Sequence, residues 1–199
     1  MDEQELTALR QRLVTWDEVA DQIPENHSRA AVAICLGPGM DGLGVLLMRR
    51  VEHPEDPWSG QISLPGGREE PEDASLSVTA RRETLEEVGL DLGAEGPCEA
   101  QELGLLPPVQ ARSHGGFMDT TIVPFVHLLS EQPPTAPGPE ATETFWLPLA
   151  QVRSGELDGQ FPYEKADGGT VHLPCWDFED RRIWGLTFRI VTELLHSKA

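Results

Sequence analysis

Two adjacent glycines followed by a helix with three carboxylates on one face constrain this chain more than any other feature. The stretch runs Leu64-Pro65-Gly66-Gly67, then past Asp73 to Arg82-Glu83-Thr84-Leu85-Glu86-Glu87-Val88-Gly89-Leu90. Gly66 and Gly67 read as a turn at a strand end, where the missing β-carbon opens backbone conformations closed to other residues and lets a neighbour approach. Glu83, Glu86 and Glu87 stand at i, i+3 and i+4 and so share a helix face. Each like-charge pair at that spacing costs about 0.2–0.5 kcal/mol on an exposed helix, and the negative end of the helix dipole adds to the cost. Arg82, about 100° round the helix, can orient one carboxylate but cannot neutralise three. Either the face is solvated acidic surface or it holds a hard divalent cation through oxygen ligands.

The rest of the helix fits a two-sided role. It is predicted to begin near Asp73 or Ala74, after Pro71, with Asp73 as its cap and Gly89 as its closing glycine. Ala74, Val78, Leu85 and Val88 fall opposite Glu83 and Glu87, which predicts a core face there, with Arg81 interrupting it and snorkelling to the rim.

Before the glycines, residues 2–20 place Leu6, Leu9, Leu13 and Trp16 at helical spacing. That predicts one amphipathic helix, either packed on the domain or contacting a second copy in a homodimer. Residues 29–36 and 44–48 read as a hairpin of nearly charge-free strands, the kind covered on both faces in the middle of a sheet. Arg49 and Arg50 follow, one loop from the acidic stretch, either as surface charge or as partners of a substrate phosphate. After the carboxylate helix, Leu103–Leu106 reads as a short strand stopped by Pro107-Pro108, residues 113–116 as a loop, and Thr120–Leu129 as a long strand with Pro124 at an edge or bulge. Residues 140–149 read as a strand and then a short helix, 158–177 as a hairpin or irregular lid, and 183–196 as a closing helix with Leu186, Ile190, Val191, Leu194 and Leu195 inward. The expected organisation is residues 1–28 as the N-terminal helix and lead-in, and 29–199 as a single domain.

Composition narrows the function. A formal charge of −19 leaves no basic stripe for nucleic acid, and it repels anionic substrates unless metal ions reverse the local field. Cys35, Cys98 and Cys175 are too few and too scattered for a disulfide framework or a zinc site, which points to a reducing compartment. No apolar run approaches the roughly 20 residues that span a bilayer, and the start Met1-Asp2-Glu3 is unlike a basic signal-peptide opening. The expectation is a cytoplasmic protein with no membrane partner.

Gly67, Asp73, Arg82-Glu83, Glu86-Glu87 and Gly89 together resemble the signature box of the Nudix hydrolases, in which a glycine, an acid, Arg-Glu, Glu-Glu and a glycine recur at nearly fixed spacing. The spacing from Asp73 to Arg82 is one residue longer than the usual form, the acid is Asp instead of Glu, and Thr84 stands where an aliphatic is usual. The resemblance implies an α/β fold, an α/β/α sandwich with a mixed β-sheet, here with an added N-terminal helix. It implies Mg²⁺ or Mn²⁺ held by Glu83, Glu86 and Glu87, with one of these or a downstream acid as base for the attacking water, the Gly67 carbonyl as a further candidate ligand and Arg82 orienting a glutamate. In the family the acid-rich lead into an aromatic strand lies over the metal site, so Glu140 or Glu143 is a candidate for a ligand or base, or else an ordinary surface acid. The implied reaction is hydrolysis of a phosphoanhydride in a nucleoside diphosphate derivative, a small-molecule substrate.

Two outlying stretches are similar to the coenzyme A pyrophosphatase subgroup. Gly60-Gln61-Ile62-Ser63-Leu64-Pro65-Gly66-Gly67 resembles its glycine, three residues and Phe-Pro-Gly-Gly, with Leu64 for Phe; Ile183-Trp184-Gly185-Leu186-Thr187 resembles its C-terminal Ile-Trp-Gly-x-Thr. Asp56 stands where that subgroup has arginine, and Leu46-Leu47-Met48 where it has Leu-Leu-Thr. Coenzyme A or an acyl derivative is therefore the favoured substrate, giving 3′,5′-ADP and a 4′-phosphopantetheine product. ADP-ribose, near whose marker proline Pro107 and Pro108 fall, or another nucleoside diphosphate or triphosphate is the nearest alternative, the dinucleoside polyphosphates being disfavoured because the single tyrosine, Tyr163, lies far from the signature; a silent nucleotide-binding module is the alternative from another class.

Overall fold

The computed structural model describes residues 3–40, 42–54, 58–93, 96, 99–113, 116–165 and 168–195. The chain opens with α1 (Glu3–Arg10), a short α2 (Trp16–Val19) and a 3₁₀ turn, then the hairpin β1 (Ser28–Gly39) and β2 (Gly42–Arg50). Next come β3 (Ile62–Ser63), β4 (Gly66–Arg68), α3 (Leu76–Val88), β5 (Gln101–Leu105), β6 (Val109–Ser113) and β7 (Gly116–Leu128). The chain ends with β8 (Ala141–Pro148), α4 (Leu149–Ser154), β9 (Asp158–Glu164), β10 (Thr170–Phe178), β11 (Arg181–Trp184) and α5 (Gly185–Leu195).

The main sheet runs β3-β2-β1-β7-β5, with β8 on β2, β4 on β1 and β6 on β7. Its centre, β1 with β7, is parallel, whereas the other described pairings in it are antiparallel, so the sheet is mixed. As expected from their lack of charge, β1 and β2 are covered on both faces. Ile34, Leu36, Val45 and Leu47 point into one apolar cluster with Leu9, Ile190 and Leu194. Ala33, Cys35, Leu46 and Met48 point into the other with Leu76, Ala80 and Val88 of α3. Helices thus flank the sheet on both sides, the α/β/α sandwich of the sequence reading. Arg12 ties the ends of the chain together by donating from Nη1 to the Leu194 and Leu195 carbonyls at 2.8 and 3.2 Å, two acceptors that the end of α5 leaves without helical partners.

Several local expectations are corrected. The predicted helix over residues 2–20 is broken, because Val14 exchanges two backbone hydrogen bonds with Leu105 and the chain there is extended. Trp16 is 41% exposed. α3 starts at Leu76, not near Asp73: Ser75 is the cap, its side chain accepting from the Val78 N–H. Its buried stripe is Leu76, Thr79, Ala80, Thr84, Glu87 and Val88, while Leu85 is 50% exposed. Thr84 can lie buried because its hydroxyl donates to the Ala80 carbonyl at 2.6 Å. Gly66 and Gly67 form no turn but the short strand β4 against β1. Ser113 and Gly116, read as loop, are paired strand residues, and His114 and Gly115 lie outside the described residues. Pro124 sits neither at a sheet edge nor in a bulge. It faces the junction where β7 passes from its partner β5 (Leu105 opposite Phe125) to β6 (Val109 opposite Ile122), so its missing N–H interrupts no ladder. The 158–177 hairpin is present as β9 and β10, extended by an unanticipated third strand, and Ile183 and Trp184 belong to that strand. The closing helix therefore starts only at Gly185, whose φ of +63° turns the chain out of β11.

Candidate functional site

Gly89, at φ +68°, ends α3 in a left-handed cap and fixes where its last turns point. Those turns carry Glu83 and Glu87 to the wall of a cleft of about 620 Å³, shared with Gly66, Gly67, Arg50 and Glu140. The glycines are required by contact. A β-carbon at Gly66, which has φ +149°, would stand 2.3 Å from the Ala31 carbonyl oxygen, and one at Gly67 would stand 2.3 Å from Glu83 Oε1.

Glu87 is 2% exposed. Its Oε2 accepts from the Gly66 N–H at 2.7 Å, and Arg50 Nη1 stands 3.7 Å from Oε1. Burial pushes Glu87 up to about 8; the Gly66 hydrogen bond and the Arg50 charge offset only part of this, and Glu83 and Glu140 add to it. Glu83 is also raised, first by burial and less by Glu86 and Glu140, against the pull of Arg82.

Arg82 organises the acids from behind. Its Nε and Nη2 donate to Asp73 at 3.1 and 3.0 Å, its Nη1 to Glu83 at 2.9 Å and to Glu86 at 3.3 Å, and Nη2 also to the Arg68 carbonyl at 3.2 Å. Asp73, predicted as the helix cap, instead anchors this guanidinium. The Arg82 hydrogen bond, with further donation from the Glu70 N–H and Thr79 hydroxyl, holds its carboxyl near 2 although burial opposes it.

Of the sequence candidates, the structure gathers Gly67, Glu83, Glu87, Arg50 and Glu140 at the cleft. Glu86 is exposed and turned to Arg82. Arg49 and Glu143 form an ion pair at 2.6 Å, and Arg181 closes on the same carboxylate at 2.9 Å, away from the cleft lining. Burial alone would raise Glu143, but the hydrogen bonds from Arg181 and Arg49 outweigh it and hold it below the ordinary carboxylate value. Asp56 lies outside the described residues.

Among the described residues no three His, Cys, Asp or Glu side chains are close enough to hold a cation as they are placed. The donor chemistry nevertheless fits one. Glu83 and Glu87 line the same cleft, both are driven toward protonation by burial and by neighbouring carboxylates, and an all-oxygen set suits hard divalent ions.

A family profile described as the NUDIX domain matches residues 26–166. The chain belongs to the Nudix hydrolase family. This Nudix hydrolase is 33% identical over 172 residues to an uncharacterized Nudix hydrolase NudL of Shigella flexneri, covering 86% of this chain and 83% of that protein. The corresponding NudL of Escherichia coli O157:H7 is 32% identical over 170 residues, 85% of this chain and 82% of the other. Among solved structures, a MutT/nudix family protein from Enterococcus faecalis superposes with a TM-score of 0.50 at 20% identity, covering 92% of this chain and 62% of that one, a likeness of fold.

Sequence reasoning missed two parts of this Nudix cleft. Trp58 and Trp184 line it from loops and strands distant in the chain, and Thr187 pins the start of α5 to β3 by donating to the Ile62 carbonyl at 3.0 Å. Trp184 and Thr187 belong to the Ile183-Trp184-Gly185-Leu186-Thr187 stretch, but only the fold shows that they reach the cleft.

Proposed function

We propose that this Nudix hydrolase is a divalent-metal-dependent pyrophosphohydrolase that cleaves coenzyme A or an acyl derivative into 3′,5′-ADP and a 4′-phosphopantetheine product. The observation that carries the substrate is convergence. The two stretches that resemble the coenzyme A subgroup, residues 60–67 and 183–187, are far apart in sequence, yet Gln61–Leu64, Gly66 and Gly67 line one cleft with Trp184, Leu186 and Thr187.

Glu83 and Glu87 are the ligands best placed for Mg²⁺ or Mn²⁺, with Glu86 reaching them by releasing Arg82 and the Gly67 carbonyl as a further donor. The bound ions supply charge neutralisation at the phosphoanhydride and an acidified water. The chain's own groups do the rest. Arg82, locked by Asp73, positions Glu83, and of the two cations on the cleft wall, Arg50 and Arg68, Arg50 is the proposed partner of a substrate phosphate. Glu140, on the cleft wall, is the candidate base for the attacking water.

The test is turnover of coenzyme A, ADP-ribose, NADH, diadenosine polyphosphates and nucleoside triphosphates with Mg²⁺ or Mn²⁺, products identified by mass. Preferred cleavage of coenzyme A, lost in Glu86→Gln and Glu87→Gln, is expected. Preference for ADP-ribose overturns the substrate, undiminished turnover in both variants overturns the mechanism, and binding without cleavage of any of them makes the protein a nucleotide-binding module.

A further inference from the structure

Beyond the catalytic cleft lies a second groove of about 660 Å³, between the small sheet and α5. The two spaces share Trp58, Gln61, Trp184 and Leu186 as a common wall, so a ligand centred on Glu83 and Glu87 can continue from one into the other. The small sheet explains the character of the groove. Its strands alternate with period two, and the register sets Tyr163 opposite Val171 and Phe161 opposite Leu173. These four apolar residues share a face, and Gln160, Glu164, Thr170 and His172 take the other. The apolar four are each only partly buried, so the face is not consumed by packing. Tyr163 and Phe161 rest against Trp184, with ring centroids 5.8 and 4.5 Å away, which ties the groove floor to the shared wall.

We propose that this groove binds the acyl chain carried at the end of the substrate's pantetheine arm, so that the enzyme selects acylated over free thiol forms; the inference rests on the coenzyme A reading above. A partly exposed aliphatic and aromatic face contiguous with the reaction centre suits an extended chain with few directional groups. Val171, Leu173, Pro174 and Phe188 supply that face, while Gln110, Lys165, Arg189, Thr192 and Glu193 line the rest of the groove. Burial of successive methylenes then appears as catalytic efficiency, because each one removed from water favours the bound state.

The experiment is a series of free, acetyl-, butyryl- and octanoyl-coenzyme A on the full chain. kcat/KM is expected to rise by tenfold or more from acetyl to octanoyl, and octanoyl-pantetheine, which has no phosphoanhydride, to inhibit coenzyme A hydrolysis at least tenfold more tightly than pantetheine. In Leu173→Asp both gains collapse while free coenzyme A is still cleaved. The chain-length series and the inhibition ratio are read in the unaltered protein, so misfolding of the variant does not decide the matter. Coenzyme A cleavage with no dependence on chain length overturns the groove assignment and leaves the proposed activity standing. A Leu173→Asp variant that loses affinity for 3′,5′-ADP instead puts the nucleotide arm in the groove and overturns it as well. Failure to cleave any member of the series removes the coenzyme A reading and the groove assignment with it.

Discussion

Replacing Glu87 with Gln should remove activity and at the same time stabilise the metal-free protein. Burial, reinforced by Glu83 and Glu140, moves this carboxyl from 4.5 to about 8. A carboxyl whose pKa is higher folded than unfolded favours the native state below its unfolded value, and that contribution is lost as pH rises from 4.5 to about 8. At about 1.4 kcal/mol per unit, the charge costs up to about 5 kcal/mol above pH 9 and about 3 kcal/mol at pH 7. Gln keeps an acceptor for the Gly66 N–H, now at 2.7 Å from Glu87 Oε2, and carries no charge to desolvate. For a chain of this size about 3 kcal/mol corresponds to roughly 6–12 °C in melting temperature. The assay is thermal melting of both proteins in chelator from pH 4.5 to 9, repeated with Mg²⁺. The gap should open with pH and vanish near pH 4.5, and Mg²⁺ should raise the parent more than the variant, because the ion binds the native carboxylate. A variant no more stable than its parent at pH 8, or a gap independent of pH, refutes the reasoning.

Gly67→Ala should cut kcat/KM by roughly a hundredfold or more while the protein still folds, since the new methyl meets the Glu83 carboxylate and not the backbone; circular dichroism beside turnover checks this. Asp73→Asn should lower activity by about tenfold or more, by freeing Arg82. It should also remove an acid transition, because a carboxyl depressed to about 2 contributes stability above its unfolded value of 3.8 that is lost as pH falls toward 2. His127 is 1% exposed with neither ring nitrogen hydrogen-bonded. Burial, with Arg81 adding and Glu102 opposing, lowers it from 6.5 to about 4, so stability present above pH 6.5 falls as pH drops toward 4, and His127→Phe should flatten urea midpoints across that window.

The parts of the fold set by local pattern could be read from sequence, and the parts set by distant partners could not. Apolar runs without charge placed β1 and β2 at the sheet centre, because a strand covered on both faces has no polar position to spare. The start of α3 was misread because Asp73 and Ser75 are both competent caps, and Arg82, nine residues on, claims the first. Its core face was misread because Thr84 and Glu87 look like surface residues until Ala80 and Gly66 supply their hydrogen bonds. Adjacent Arg49 and Arg50 could not be ranked by composition, but strand geometry separates them. Successive side chains point to opposite faces, so Arg50 lines the cleft while Arg49 meets its cross-strand neighbour Glu143. The same register draws Glu143 to Arg49 and away from the cleft lining, whereas Glu140, just before β8, lies in that lining.

Charge joins these pieces into one requirement. The chain carries a formal −19, and the cleft sets Glu83, Glu87 and Glu140 against Arg50 and Arg68. A diphosphate approaching the metal-free cleft meets a wall that is negative or, with Glu87 protonated, close to neutral. A divalent ion held by Glu83 and Glu87 would displace that proton and leave the same wall positive. On the proposed chemistry, metal binding and substrate entry would draw on one field, with the burial that makes Glu87 costly in the metal-free protein as the link between them. Arg82 cannot take the place of the ion, since Asp73 already holds two of its nitrogens on the far side of the acids.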